Sequence, residues 1–171
     1  MHGTDNRTTG LLIRPAHPDD YDAVAALTVD VYVGDGYVTS GDGYVRELAD
    51  VAHRAAESEV LVAEHEGRVV GSLTVARPGT PYAEIARPGE LEFRMLAVSK
   101  QARGLGVGTA LVRAVVDEAR SGECEAVVLT TMFSMVDAHR IYERLGFVPV
   151  PERDWATHDG LQLFVMRLAL R

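Results

Sequence analysis

Residues 96–109, Leu-Ala-Val-Ser-Lys-Gln-Ala-Arg-Gly-Leu-Gly-Val-Gly-Thr, constrain this chain more than any other stretch. An alternating run from Glu90 to Val98 leads in, and apolar residues at helical spacing (Leu111, Val112, Val115, Val116, Ala119) lead out. The segment is therefore a turn from a strand into a helix. Gly104, Gly106 and Gly108 allow close backbone approach to a ligand and positive φ. The helix that opens there offers unpaired N–H groups and the positive end of its dipole. Together these make a seat for phosphate, although three glycines taken alone could mark only a tight turn. Two commoner phosphate loops do not fit. A dinucleotide fingerprint opens a βαβ repeat, whereas four strand-like segments precede this turn, and no Gly-Lys-Ser/Thr closes it as in a Walker loop.

The flanking elements place that turn in a mixed α/β chain with one layer of sheet. Leu11 to Arg14 is a short strand stopped by Pro15, which a central strand does not tolerate. His17-Pro18-Asp19-Asp20 reads as a helix start, followed by Tyr21, Val24, Ala25, Leu27 and Val31 at helical spacing. Between Gly34 and Gly43 the triplet Gly-Asp-Gly occurs twice, each time followed by Tyr-Val, which predicts a loop. A second helix is predicted over about 44–57. Val60 to Glu64 and Val69 to Val75 read as strands joined by a hairpin turn at Glu66-Gly67. Three prolines and two glycines make 77–89 an irregular connection. The strand Glu90 to Val98 sets Leu91, Phe93, Met95 and Ala97 on one face against Glu90, Glu92 and Arg94 on the other. Beyond the glycine turn and its helix come a buried-type strand over 126–130 and a helix over 137–145 stopped by Gly146. Closing strands are predicted over 147–150 and 161–170. Residues 1–10 are expected to be a loose tail and 11–171 a single domain.

Composition removes several classes of function. With 171 residues, 47% hydrophobic and 25% charged, the chain has the balance of a globular protein. A net charge of −8 argues against nucleic acid as a partner, since phosphate backbones are held by clustered Lys and Arg. No stretch approaches the ~20 apolar residues of a membrane span. The start lacks the order of a secretion signal, and the single Cys124 suits a reducing compartment, so cytoplasmic is the expected location. The six histidines have no paired spacing, so no metal site is expected. Cys124, beside acidic residues, is a poor nucleophile.

Two blocks carry a family resemblance. Gln101-Ala-Arg-Gly104-Leu-Gly106 resembles the Gln/Arg-x-x-Gly-x-Gly/Ala motif of the GNAT superfamily of N-acetyltransferases. Ala138-His-Arg-Ile-Tyr142-Glu-Arg-Leu-Gly146-Phe147 is similar to that family's late Tyr-Glu-x-Leu-Gly-Phe signature. The resemblance runs from Leu11 to Leu170 and implies a central, V-splayed, mostly antiparallel sheet flanked by helices. It implies acetyl-CoA as cosubstrate and an amine acceptor, on a small molecule or a protein. The backbone of Leu96, Ala97 and Val98 would pair with the pantetheine arm. Arg103, Gly104, Leu105, Gly106, Val107, Gly108 and Thr109 would supply N–H groups and a hydroxyl to the pyrophosphate. Where the family often has an asparagine that touches the cofactor arm, this chain has Met135. A homodimer through the closing strands is compatible with the family pattern.

The implied chemistry needs a neutral amine, a polarised carbonyl and a proton for the departing thiolate. An amine of pKa near 10.4 is neutral about one time in ~2,000 at pH 7, a cost of roughly 4–5 kcal/mol. Tyr142 is the candidate general acid, because its phenol is protonated at pH 7 and can donate to sulfur. Its alternative is an amphipathic-helix tyrosine that only packs. Glu92, six residues before Val98, matches the place where some family members carry a glutamate base. Its alternative is an ordinary carboxylate paired with Arg94, and Glu90 could substitute. The amide of Leu96 or Ala97 could act as an oxyanion donor. Asp35, Tyr37, Asp42 and Tyr44 in the doubled loop could receive a cationic amine, or form two plain turns. Trp155 is expected to anchor the last loop beside the site or to pack in the core, and His139 is a minor candidate at its mouth. Two rival readings remain: a silent acyl-CoA-binding regulatory module, and transfer of a longer acyl group into a pocket widened by Met132, Phe133 and Met135.

Overall fold

The computed structural model describes residues 10–171, so nearly all of the expected tail lies outside the described residues. Strand β1 (Leu11–Pro15) leads through a 3-10 turn at Pro18–Asp20 into α1 (Tyr21–Gly34). Where one second helix was expected there are two, α2 (Tyr44–Ala49) and α3 (Val51–Glu57). Asp50 divides them: its ψ of 67° leaves the helical region, and its carboxylate accepts the His53 N–H as the cap of α3. Strands β2 (Glu59–His65) and β3 (Arg68–Ala76) form the expected hairpin through Glu66-Gly67, and β4 spans Glu90–Val98. Helix α4 (Val107–Ser121), β5 (Ala126–Thr131) and α5 (Val136–Leu145) follow. The chain closes with β6 (Val148–Pro149), a short unanticipated β7 (Trp155–Ala156), and β8 (Gln162–Ala169).

One sheet runs in the order β1-β2-β3-β4-β5-β8-β6, with β7 on β8. Every pairing is antiparallel except β4 with β5. Helix α4 turns Leu111, Val112, Val115 and Ala119 onto one face of the sheet, each fully buried. Each of the Leu and Val side chains contributes about 1.5–3 kcal/mol of apolar burial. The other face is covered by α1 and α2, where Val31, Tyr32 and Leu48 meet Ala76, Met95 and Ala97.

Two irregularities in β4 shape the site. Its pairing with β5 covers only Glu90, Leu91 and Glu92, opposite Ala126, Val127 and Val128. Beyond Glu92 the strands part, β4 staying on β3 as far as Val98 and β5 staying on β8 as far as Thr131. The second irregularity is a bulge. Three residue steps on β4, Arg94 to Ala97, face two on β3, and Met95 takes the left-handed φ of 61°. A non-glycine residue there costs roughly 1–2 kcal/mol. The extra residue also corrects the expected alternation. Leu91 and Phe93 pack with α4, but Met95 and Ala97 are turned to the α1 side.

Candidate active site

The parting of β4 and β5 opens a cleft of about 830 Å³. Its walls are the bare edge of β4, the glycine turn, the end of β5 and helix α5, with α1 and the 35–47 segment at one end.

The glycine turn behaves as an anion seat. The N–H groups of Gly104, Gly106, Val107, Gly108 and Thr109 have no acceptor among the described residues, and neither the helix ladder nor a capping side chain takes them. Gly106, at φ 75°, is the residue from which α4 starts. At Gly108 a Cβ would lie 2.7 Å from Ile141 Cδ1, so the bare backbone is what lets α5 close on the turn. Two expected contributors are differently employed. The Arg103 N–H is bonded to Lys100 O at 3.4 Å and the Leu105 N–H to Ala102 O at 3.2 Å, and the Leu105 side chain points to solvent. Arg103 instead reaches across to Asp35, Nη2 to Oδ2 at 2.8 Å, with Lys100 Nζ 3.9 Å from the same carboxylate. Asp35 is therefore a tie between α1 and the glycine turn rather than a free receptor for an amine.

Leu96 and Val98 line the cleft; the Ala97 side chain is buried on the opposite face, while its backbone lies on the same strand edge. Tyr142 projects from α5 into the cleft, packed edge-on against Phe93 (centroids 5.8 Å apart) and tilted against Phe147. It is 4% exposed, and its hydroxyl has no protein partner among the described residues. Burial pushes the phenol well above its ordinary pKa, which keeps it protonated at neutral pH.

Glu92 does not line the cleft, contrary to the expectation of an accessible base. The irregular 77–89 connection folds over that face of the strand. Oε1 of Glu92 accepts from the amides of Glu84, Ile85 and Ala86 at 2.9–3.0 Å, and Oε2 is buried with no partner. Burial raises its pKa, against the pull of those amides and of Arg94. Glu90 is no substitute. It sits at the closed end of the V, where Arg153 binds it at 2.8 and 3.0 Å and Arg167 at 2.9 Å. Burial pushes its pKa up, but the bonds from Arg153, the Arg87 amide and Arg167 outweigh it and hold the carboxyl near about 2.

Other expectations divide. Met135 lines the cleft and accepts a weak bond from Thr131 Oγ1 to its sulfur, 3.7 Å. Trp155 lines it as well, held by Nε1 to Thr130 Oγ1 at 3.3 Å. Met132 is in the wall, whereas Phe133 is 82% exposed and His139 is bonded to Thr131. Residues missed in the sequence are Tyr32, Glu47 and Glu84 at one end, and Arg140 and Arg144 on the α5 wall. The last two stand one helical turn apart, two residues either side of Tyr142, a signal that was available. Among the described residues no group of three His, Cys, Asp or Glu side chains is arranged to hold a metal ion. No helix of the described residues is long and apolar enough to cross a membrane.

The sequence matches the acetyltransferase (GNAT) family over residues 26–147, a stretch that takes in the parted strands, the glycine turn and Tyr142. The chain belongs to the GNAT acetyltransferase family. A GNAT acetyltransferase from Staphylococcus aureus superposes with a TM-score of 0.75 over 94% of this chain and 99% of the other, at 14% identity. An acetyltransferase from Salmonella typhimurium, solved with acetyl-CoA, gives 0.69 over 95% of each chain at 22% identity. Both likenesses speak to the fold. In sequence, the chain is 38% identical over 71 residues to N-acetylaspartate synthetase of Danio rerio, covering 42% of this chain and 25% of that protein. The chain thus spans only a fraction of such curated relatives, half in the case of an N-acetyltransferase from Methanocaldococcus jannaschii.

Proposed function

We propose that this chain is an N-acetyltransferase that moves the acetyl group of acetyl-CoA to a primary amine by direct attack, with Tyr142 as the general acid. The observation that carries the reading is one cleft holding three things: five unpaired amides at a helix start, a bare strand edge leading from them, and the unpartnered Tyr142 phenol. The amides of Gly104, Gly106, Val107, Gly108 and Thr109 suit a diphosphate. Arg140 and Arg144, on the α5 wall of the same cleft, add positive charge. The edge of β4 from Phe93 to Val98 offers backbone groups to an extended amide-bearing arm.

Acetyl-CoA supplies a thioester: the amine nitrogen bonds the carbonyl carbon, the carbon–sulfur bond breaks, and the products are an amide and a thiol. Tyr142 gives its proton to the departing sulfur, and the proton lost by the amine restores the phenol through solvent. Burial disfavours tyrosinate, yet it disfavours a thiolate in the same place, so the transfer stays feasible. Met95 and Leu96, at the bulge, have no partner in the β3 register, and the Leu96 N–H suits a developing oxyanion. Glu92, held by three amides, acts here as the anchor of the 84–86 segment and not as a base in contact with substrate.

A thiol-release assay with acetyl-CoA and a panel of amines tests the reading. Turnover should appear with at least one amine, and Tyr142→Phe should lower kcat by about a hundredfold to ten-thousandfold. A loss below threefold rejects Tyr142 as the acid. Acetyl-CoA binding with no turnover on any amine favours a regulatory binding module instead.

A further inference from the structure

The end of the cleft remote from the glycine turn carries an imbalance that acetyl transfer alone does not require. Asp42, Glu47 and Glu84 line it, with Arg94 as the cation set among them. The donors of Arg94 are already engaged. Nε lies 3.1 Å from Glu84, Nη1 is 3.6 Å from Glu47 and donates to Tyr82 O at 3.1 Å, and Nη2 donates to the Tyr44 hydroxyl at 3.2 Å. Its side chain is 9% exposed. Arg94 is thus spent on the protein and poorly placed to receive a carboxylate. Arg54 lies buried behind Glu47, bonded to the Glu47 and Leu48 carbonyls and to Thr74, so the three acids exceed the two cations by one negative charge.

A separate feature marks a place for a ligand between this end and Tyr142. Tyr32 projects from α1 into the cleft, 7% exposed, with Tyr37 and Tyr44 packed edge-on against it at 5.7 and 6.4 Å. No group among the described residues bonds its hydroxyl. A buried phenol open to a cavity without a partner is a hydrogen-bond position to be filled by what the cavity takes. Its protonated state is secure, because burial lifts its pKa well above the ordinary value.

Resting on the acetyl-transfer reading, we infer that this end selects an acceptor bearing a second positive charge: a small aliphatic diamine or polyamine. An acidic site stabilises ammonium, which is the wrong protonation state for the attacking nitrogen. Excess negative charge therefore helps only if the cation it holds is a different group of the same molecule. One amino group stays protonated among Asp42, Glu47 and Glu84. The other is delivered neutral past Tyr32 toward Tyr142. The charged end also lowers the pKa of its neighbour by Coulomb repulsion, which eases loss of the proton before attack. The bonds formed and broken are those of the acetyl transfer given above.

The test compares kcat/KM for 1,5-diaminopentane, spermidine, n-pentylamine, aspartate and a short peptide, by thiol release with acetyl-CoA. Diamine and triamine should exceed pentylamine at least tenfold, with the advantage shrinking as salt is raised. In Glu47→Gln, and in Glu47→Gln combined with Glu84→Gln, the diaminopentane-to-pentylamine ratio should fall below threefold. The ratio is internal to each variant, so partial loss of folded protein does not mimic the effect. Pentylamine, aspartate or the peptide equalling the diamine overturns the inference alone, as does a ratio unchanged in both variants. Turnover with none of the five, despite protection of the protein by acetyl-CoA against heat, overturns the transfer reading and the inference with it.

Discussion

Glu90→Gln should destabilise the protein in a way that disappears with acid. Glu90 closes the V at the point where β4 and β5 still pair, binding Arg153 from the 151–153 turn and Arg167 from β8. Its pKa is held near about 2, against an ordinary value of 4.5. Each pK unit is worth about 1.4 kcal/mol, so the ionised pair contributes on the order of 3 kcal/mol at neutral pH. Because the folded-state pKa is the lower one, that stability is complete above about pH 5.5. About half remains near pH 3 and almost none near pH 2. Urea unfolding followed by circular dichroism at pH 7 and pH 3 reads it directly. The gap between wild type and variant should be ~3 kcal/mol at pH 7, or roughly 6–12 °C in Tm for a chain of this size, and about half that at pH 3. An equal gap at both values, or one under ~1 kcal/mol at pH 7, refutes the assignment of Glu90 as an ionised clamp.

Other consequences follow from the same geometry. Gly106→Ala forces a left-handed φ of 75° on a residue with a Cβ, costing about 1–2 kcal/mol. Calorimetry should show coenzyme A binding about tenfold or more weaker, while unchanged affinity removes Gly106 from the anion seat. Asp35→Asn breaks a partly exposed pair with Arg103, so Tm should shift little. In kinetics the KM for acetyl-CoA should rise roughly threefold, about 0.7 kcal/mol in the arithmetic of affinity, because the turn loses its tie to α1. A rise confined to the acceptor's KM would make Asp35 an acceptor residue instead. Arg140→Ala with Arg144→Ala should weaken acetyl-CoA binding and flatten its salt dependence; identical binding at 50 and 300 mM salt in wild type contradicts the charge contribution.

The sheet, the order of elements and the glycine turn were legible because each rests on a local pattern. Apolar, β-branched runs mark β2 and β3, Glu66-Gly67 marks the turn between them, and Leu111 to Ala119 repeat at helical spacing. The Met95 bulge was not legible. Methionine has no preference for a positive φ, and only the packing of β3 and α1 around it imposes one. Glu92 was misplaced for a related reason. A charged residue on a strand face reads as solvated, and nothing local foretells that 84–86 will fold back and bind it. The break at Asp50 did leave a signal, since aspartate three residues before the His53 amide is a cap pattern. Tyr32 lay hidden among the apolar residues of α1, distinguished only by the cavity in front of it.

A structure of the protein with coenzyme A bound bears most directly on all of this. The diphosphate should lie against the amides of Gly104, Gly106, Val107, Gly108 and Thr109, with the arm running along β4 toward Tyr142. A diphosphate seated elsewhere, or a sulfur remote from that phenol, contradicts the account.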